Sequence, residues 1–251
     1  MRAIWTGAIG FGLVNIPIKI YSATQSSSLD LDMLDRKDKS NIKYKRVNEN
    51  TGKEVSWDSI VKGYLFNDRY IVLEESDFEE ASPEKNKMIN LHSFVQTAEI
   101  DSIYFETPYY LEPQKGGEKA YQLLLKALEK SKTAGLGSFV MRNIENLAIV
   151  KPYNDLLLLN KLRFEEEIRS TDDIKLPSNV RIKKEEMDMA LQLIRQHNQS
   201  FDISQYKNEY TKELLKIIKQ KDKGKRASIR KINVESTKSS DLLNKLKASL
   251  A

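Results

Sequence analysis

The sequence predicts a mainly β protein with some α-structure, a barrel-like body followed by a helical arm. Three observations carry this expectation. Short apolar or alternating runs bounded by Gly, Pro and Asn recur through residues 1–175, the mark of many short strands and of a barrel rather than an open sheet. A single helical pattern interrupts them. After the Pro-containing polar stretch 171–179 the strand patterns stop and a 3.6-residue period takes over. The body is therefore assigned to 1–175, the arm to 176–224, and a basic tail with a short helix to 225–251.

Residues 4–9 and 13–21 read as two strands with Gly7, Gly10 and Gly12 between and within them, where a strand bends or admits another backbone. Pro17 cannot donate to a ladder and belongs at an edge or bulge. Residues 29–34 and 42–47 alternate at period two, with a charged turn at 36–41 and the Asn48-Glu-Asn-Thr-Gly52 turn after them. Ser56 can cap a short helix. Residues 64–66 and 69–73 predict a hairpin around Asn67-Asp68, and the acidic run 74–84 an exposed connection. Strands resume at 88–97 and 102–112. A helix follows from Gly117 to Ser131 on Tyr121, Leu124, Leu125 and Leu128, then strands at 137–144, 147–152 and 156–163. Amphipathic helices are predicted at 183–196 and 206–221, a solvated basic run at 219–231, and a last helix through Leu242, Leu243, Leu246 and Leu250.

A chain of 251 residues with 31% charged and 40% hydrophobic residues has the balance of a solvated protein with one sizeable core. A formal charge of +5 permits an acidic partner without demanding one. Without cysteine there is no disulfide and no thiolate metal site. Two histidines, His92 and His197, leave little for an imidazole site. No apolar run has the length of a membrane-spanning helix. The apolar start superficially resembles a leader, but Thr6, the glycines, Asn15, Pro17 and Lys19 interrupt it and fit strands instead. The expected location is the cytoplasm.

Enzymatic constellations are missing. There is no phosphate-binding loop, no dinucleotide fingerprint and no nucleophile elbow. Asp30/Asp32 and Glu165–Glu167 are paired acids that a metal-dependent nuclease would need, yet charged solvent faces account for them. Neither a metal nor a cofactor is expected. The basic residues are the better signal. On a strand, Lys43 and Lys45 share one face and Tyr44 and Arg46 the other. Lys37, Lys39, Lys53 and Lys62 flank them and Trp57 lies near. Cations interleaved with aromatics suit a phosphate backbone. A solvated hairpin with edge lysines is the competing explanation.

The stretches Arg2-Ala-Ile-Trp and Gly10-Phe-Gly-Leu-Val-Asn-Ile-Pro-Ile-Lys-Ile-Tyr-Ser-Ala closely resemble the opening of bacterial Ku, the DNA-end-binding protein of non-homologous end joining. Ile42-Lys-Tyr-Lys-Arg-Val, Gly52-Lys-Glu-Val, Ile60-Val-Lys-Gly-Tyr, Glu99-Ile-Asp-Ser-Ile-Tyr-Phe, Pro108-Tyr-Tyr-Leu-Glu-Pro and Lys115-Gly-Gly-Glu-Lys-Ala-Tyr continue the likeness in the same order. The resemblance implies a Ku-type β-barrel core with a DNA-encircling arch, placed at about 29–78, and a C-terminal α-helical arm. It implies a homodimeric ring threaded by a double-stranded DNA end, read without regard to sequence.

On that reading Lys37, Lys43, Lys45, Arg46, Lys53 and Lys62 contact DNA. Met187, Leu191, Ile194, Tyr210, Leu214 and Ile218 form the dimer interface, and Leu242, Leu243, Leu246 and Leu250 contact an ATP-dependent DNA ligase. The alternatives are helices packed on their own barrel, a frayed C-terminus, and a basic barrel that binds nucleic acid along its surface without regard to ends. Two features depart from the family pattern. Asn48 and Thr51 stand where many relatives carry a Cys-x-x-Cys pair, so no metal is expected at that turn, and the long Lys-rich extension of some relatives is not matched.

Overall fold

The computed structural model describes residues 1–81, 87–178, 180–224 and 241–250. The chain divides into two compact units, one of Met1–Ser26 with Asp32–Arg169 and one of Ser27–Leu31 with Ser170–Ala251.

The first unit is built on a closed seven-stranded barrel, as the sequence predicts. Strands β1 (Trp5–Phe11) and β2 (Val14–Ser22) form a hairpin. Its turn uses Gly12 at φ +58°, a left-handed conformation that glycine adopts without steric cost. Two further strands, β3 (Lys62–Phe66) and β4 (Arg69–Leu73), stand apart as a ribbon, followed by helix α1 (Glu75–Ala81). The barrel resumes with β5 (Met88–Gln96) and β6 (Phe105–Pro113). Helix α2 (Glu118–Ser131) then leads to β7 (Thr133–Met141), β8 (Ile144–Tyr153) and β9 (Leu156–Leu162). Around the barrel the order is β1-β2-β6-β9-β8-β7-β5, closed by a parallel pairing of β5 with β1.

One core cluster joins Ile9, Ile16, Ile18, Ile20, Ile89, Leu111, Phe139, Val150, Leu157 and Leu159 to Tyr121, Leu124, Leu125 and Leu128 of α2. The last four are the residues whose spacing predicts the helix. A second cluster, Ala134, Ile149 and Leu162, is covered by Ile100, Tyr104 and Phe105. The wall is thus buried on both faces there, which is why β8 and β9 read as continuous apolar runs rather than alternating ones.

Pro17 sits one residue short of the β2–β6 ladder, which begins at Ile18 opposite Pro113. Its carbonyl accepts the Gln114 N–H at 2.8 Å, so its missing N–H faces the same side, where no strand asks for a donor. Gly7 and Gly137 admit close backbone: an added Cβ would collide with the Lys87 carbonyl in one case and the Asn90 carbonyl in the other. Tyr121 ties α2 to the sheet. Its hydroxyl donates to the Leu111 carbonyl and accepts from the Leu157 N–H, each at 2.7 Å, and burial raises its pKa above the ordinary tyrosine value.

Three expectations need correction. Residues 29–34 and 42–47 do not form strands: only the isolated bridges Leu34–Asn41 and Val47–Glu54 appear, because no neighbouring strand covers either run. The acidic connection contains α1 over its described part, residues 82–86 lying outside the described chain. The strand predicted to begin at 137 begins at Thr133, directly after α2.

The second unit holds α3 (Lys184–His197), α4 (Glu209–Asp222) and α5 (Leu242–Leu250), with α5 packed against α3. Asn208 caps α4, its Oδ1 accepting the Thr211 N–H at 3.0 Å, and both residues also bond to Ser27. No residue of α3 or α4 is buried.

Candidate nucleic-acid interface

Between β2 and β5 the chain leaves the barrel for an excursion whose residues 32–73 make three successive hairpins. The first runs from Met33 to Ile42, joined by the Ile42 N–H to the Met33 carbonyl at 2.9 Å, with Lys39 at φ +64° in its turn. The second pairs Arg46 with Val55 around the Asn48–Gly52 turn. The third is the β3–β4 ribbon, reversed at Asn67 and Asp68, both at positive φ as a two-residue hairpin turn requires. This stretch has no buried residue. Nothing in it is held by a core, and what it presents is its side chains.

The Asn48 turn closes on its own. The Asn48 Oδ1 accepts the N–H groups of Asn50 and Thr51, each at 3.0 Å, and Gly52 supplies φ +64°. Among the described residues no group of three or more His, Cys, Asp or Glu is placed to hold a metal ion. Asp30, Asp32 and Glu165–Glu167 are all solvent-exposed. His92 lies 3.2 Å from the Ser138 hydroxyl on the barrel, and His197 ends α3.

The predicted cations are all exposed, but they are not equivalent. Lys45 is paired to Glu54 at 2.6 Å, with both side chains more than half exposed, so the pair adds little stability while cancelling a charge. Arg46 lies over the Trp57 ring at 4.3 Å, and Lys62 over Phe78 of α1 at 4.6 Å. Neither has an acid partner in an ion pair among the described residues, and both are oriented by an aromatic face. Lys37, Lys43 and Lys53 make no ion pair among the described residues, while the Lys39 ammonium donates to the Arg36 carbonyl at 2.6 Å. Tyr44 bonds to the Met33 sulfur at 3.4 Å and so links the first hairpin to the segment leading into the second. Glu54 and Phe78 escape a reading by strand alternation. In the hairpin around the Asn48–Gly52 turn Glu54 lies opposite Val47 and meets Lys45 diagonally.

Residues 32–73 carry nine Lys and Arg against seven Asp and Glu, so the excursion as a whole is barely basic. The net excess lies in residues 170–251, with 18 cations against 11 acids. There Lys212, Lys216, Lys219 and Lys223 line one side of α4 around a cavity of about 650 Å³. Lys212 and Lys216 are offset by Glu209 and Glu213 at 3.0 and 3.4 Å.

The residues predicted for a dimer interface remain uncovered. Met187, Leu191, Ile194, Tyr210 and Ile218 are each at least two-fifths exposed and Leu214 is half-buried. In α5, Leu243 and Leu246 are half-buried and Leu242 is exposed, while the Leu250 side chain lies outside the described residues. No described helix is long and apolar enough to cross a membrane.

Comparison with known proteins places this architecture. The family described as the Ku70/Ku80 beta-barrel domain matches residues 10–189. A non-homologous end joining protein Ku of Coxiella burnetii is 37% identical over 99% of this chain and 94% of its own length. One of Archaeoglobus fulgidus is 39% identical over 100% of this chain and 98% of its own. That of Bacillus subtilis is 34% identical over 91% of this chain and 75% of its own. A closed barrel carrying an exposed excursion, matched by a family over most of its length, leaves one assignment: the chain belongs to the Ku family.

Proposed function

We propose that the protein binds the ends of double-stranded DNA without sequence preference, as a ring-shaped homodimer, and recruits an ATP-dependent DNA ligase for double-strand break repair by non-homologous end joining. It acts without catalysis of its own, in the cytoplasm at the nucleoid. The observation that supports this reading most is the excursion at 32–73. It buries nothing, stands off a rigid barrel and exposes Lys37, Lys43, Lys45, Arg46, Lys53 and Lys62. Such a segment gives up conformational freedom without a core in return, which is sensible when its partner is a polyanion outside the chain.

Contacts of this kind go to phosphate and position the duplex without reading bases. End specificity then has to come from topology, since a closed ring loads only where a duplex stops. The uncovered apolar stripes of α3 and α4 suit a second copy of the chain, with Leu191→Glu and Ile218→Glu expected to yield monomers by sedimentation. Leu242, Leu243, Leu246 and Leu250 are proposed to meet the ligase.

The cation excess of residues 170–251 favours a rival in which the protein binds along the duplex. Competition of a short blunt duplex against covalently closed circular DNA separates the two. Circles that fail to compete while linear fragments succeed support end binding. Circles that compete equally per base pair overturn it.

A further inference from the structure

We propose that one face of the β3–β4 ribbon binds unpaired nucleotides, so that the protein holds the single-stranded overhang of a broken end as well as its duplex. This rests on the end-binding reading above and extends it to a second ligand.

The ribbon has two unlike faces. Register pairs Lys62 with Leu73, Tyr64 with Ile71 and Phe66 with Arg69, and residues directly opposite on an antiparallel pair share a face. One face therefore carries Lys62, Tyr64, Phe66, Arg69, Ile71 and Leu73. The other carries Gly63, Leu65, Tyr70 and Val72, with no charge at all. Both cations of the ribbon and two of its three aromatics are on the same side, and no acid is among them. Tyr64 is 65% and Phe66 54% exposed, a large apolar area to leave in water for nothing.

The spacing points to single strands. Tyr64 and Phe66 are two residues apart on one strand, ~6.6 Å. That is about twice the 3.4 Å rise of stacked bases in one strand. Two neighbouring bases can each lie on one of these rings only if they leave each other's stack, which an unpaired strand does readily and a duplex does not. Arg69 lies directly across from Phe66, at the free end of the ribbon, as the cation for an intervening phosphate. Lys62 is engaged over Phe78 at the other end and is the weaker candidate. Aromatic rings interleaved with cations on a strand are how sequence-tolerant single-strand binders work.

The test uses the full chain and three probes. One is a duplex with one end closed by a loop and the other blunt, the second is the same duplex with a short thymidine overhang containing 2-aminopurine, and the third is the free overhang oligonucleotide. The wild-type protein is expected to bind the overhang duplex more tightly than the blunt one and to quench 2-aminopurine. Tyr64→Leu and Phe66→Leu, which keep the strand and its apolar character, should each weaken overhang binding about fivefold or more, since stacking contributes ~1 kcal/mol or more per base. Both should leave blunt-end affinity unchanged, and Tyr70→Leu on the opposite face should change neither.

Equal affinity for blunt and overhang probes without quenching overturns the proposal. So does dissociation of the protein into monomers by Tyr64→Leu or Phe66→Leu, which would make this face a contact between copies. If the protein ignores blunt ends altogether, the end-binding reading fails, and quenching of the free oligonucleotide still decides for or against the ribbon.

Discussion

The barrel and the excursion at 32–73 are written in similar sequence and come out as different structures. Both contain runs that alternate at period two. In β1 and β2 the alternation places Ile9, Ile16, Ile18 and Ile20 in complete burial. In 42–47 an equally regular alternation yields one bridge and no buried residue. The difference is neighbours. Strands of the barrel are flanked on both edges, so each apolar side chain meets another, while the hairpins of the excursion have only themselves. Period two is a statement about one strand, and burial is a property of several. If the barrel supplies stability and the excursion supplies the proposed binding, substitutions in the two should fail in different assays.

The largest expected effect lies in the barrel wall. Gly137→Val places a branched side chain against the Asn90 carbonyl and has to force β5 from β7. Loss of the folded barrel, seen as a collapsed thermal transition, is the expected result. A well-folded variant would remove close approach as the reason for that glycine.

Tyr121→Phe is next. It strands the Leu111 carbonyl and the Leu157 N–H, both buried, at a cost of ~1–3 kcal/mol, or several degrees in Tm. DNA affinity of the folded fraction should be unchanged. The same residue sets an alkaline limit. Its pKa is raised in the folded state, so the folded protein holds this proton more tightly than the unfolded chain. Its contribution is therefore complete below the ordinary tyrosine value and is lost as pH rises through the folded value. Tyr121→Phe should flatten the decline in Tm above about pH 10.

In the excursion the pattern should invert. Lys43→Glu with Lys45→Glu is expected to weaken DNA binding uniformly across sequences. It should also lower the slope of log affinity against log salt by about one, since Lys45 is already offset by Glu54, leaving Tm nearly unmoved because both sites are exposed. An unchanged slope would take those residues out of contact. The smallest effect, and the sharpest, is Glu54→Gln. Lys45 loses the carboxylate that now offsets it at 2.6 Å, so DNA affinity should rise and the salt slope steepen by about one. A fall in affinity would mean that Glu54 orients Lys45 productively rather than cancelling it.

Most of the barrel was legible because its signals are local. The helix on Tyr121, Leu124, Leu125 and Leu128, the turn at Asn67-Asp68 and the bend glycines each follow from short-range chemistry. The parallel closure of β5 onto β1 was not legible, since it joins segments some eighty residues apart and leaves no mark on either strand alone. At the candidate site the cations were legible and their pairing was not. Lys45–Glu54, Arg46–Trp57 and Lys62–Phe78 depend on how the hairpins fold back, which alternation by itself does not specify. The uneven charge, nearly balanced at 32–73 and basic beyond 170, was in the sequence throughout and is visible once residues are counted by segment.

Threading is the central claim, and it has a direct test. The protein is bound to a linear plasmid, the plasmid is closed into a circle by an added ligase, and the complex is challenged with high salt and excess competitor duplex. A ring threaded by DNA should stay on the circle and leave when a restriction cut reopens it. A protein held only by surface charge would leave circle and linear DNA alike, and that result would contradict the account.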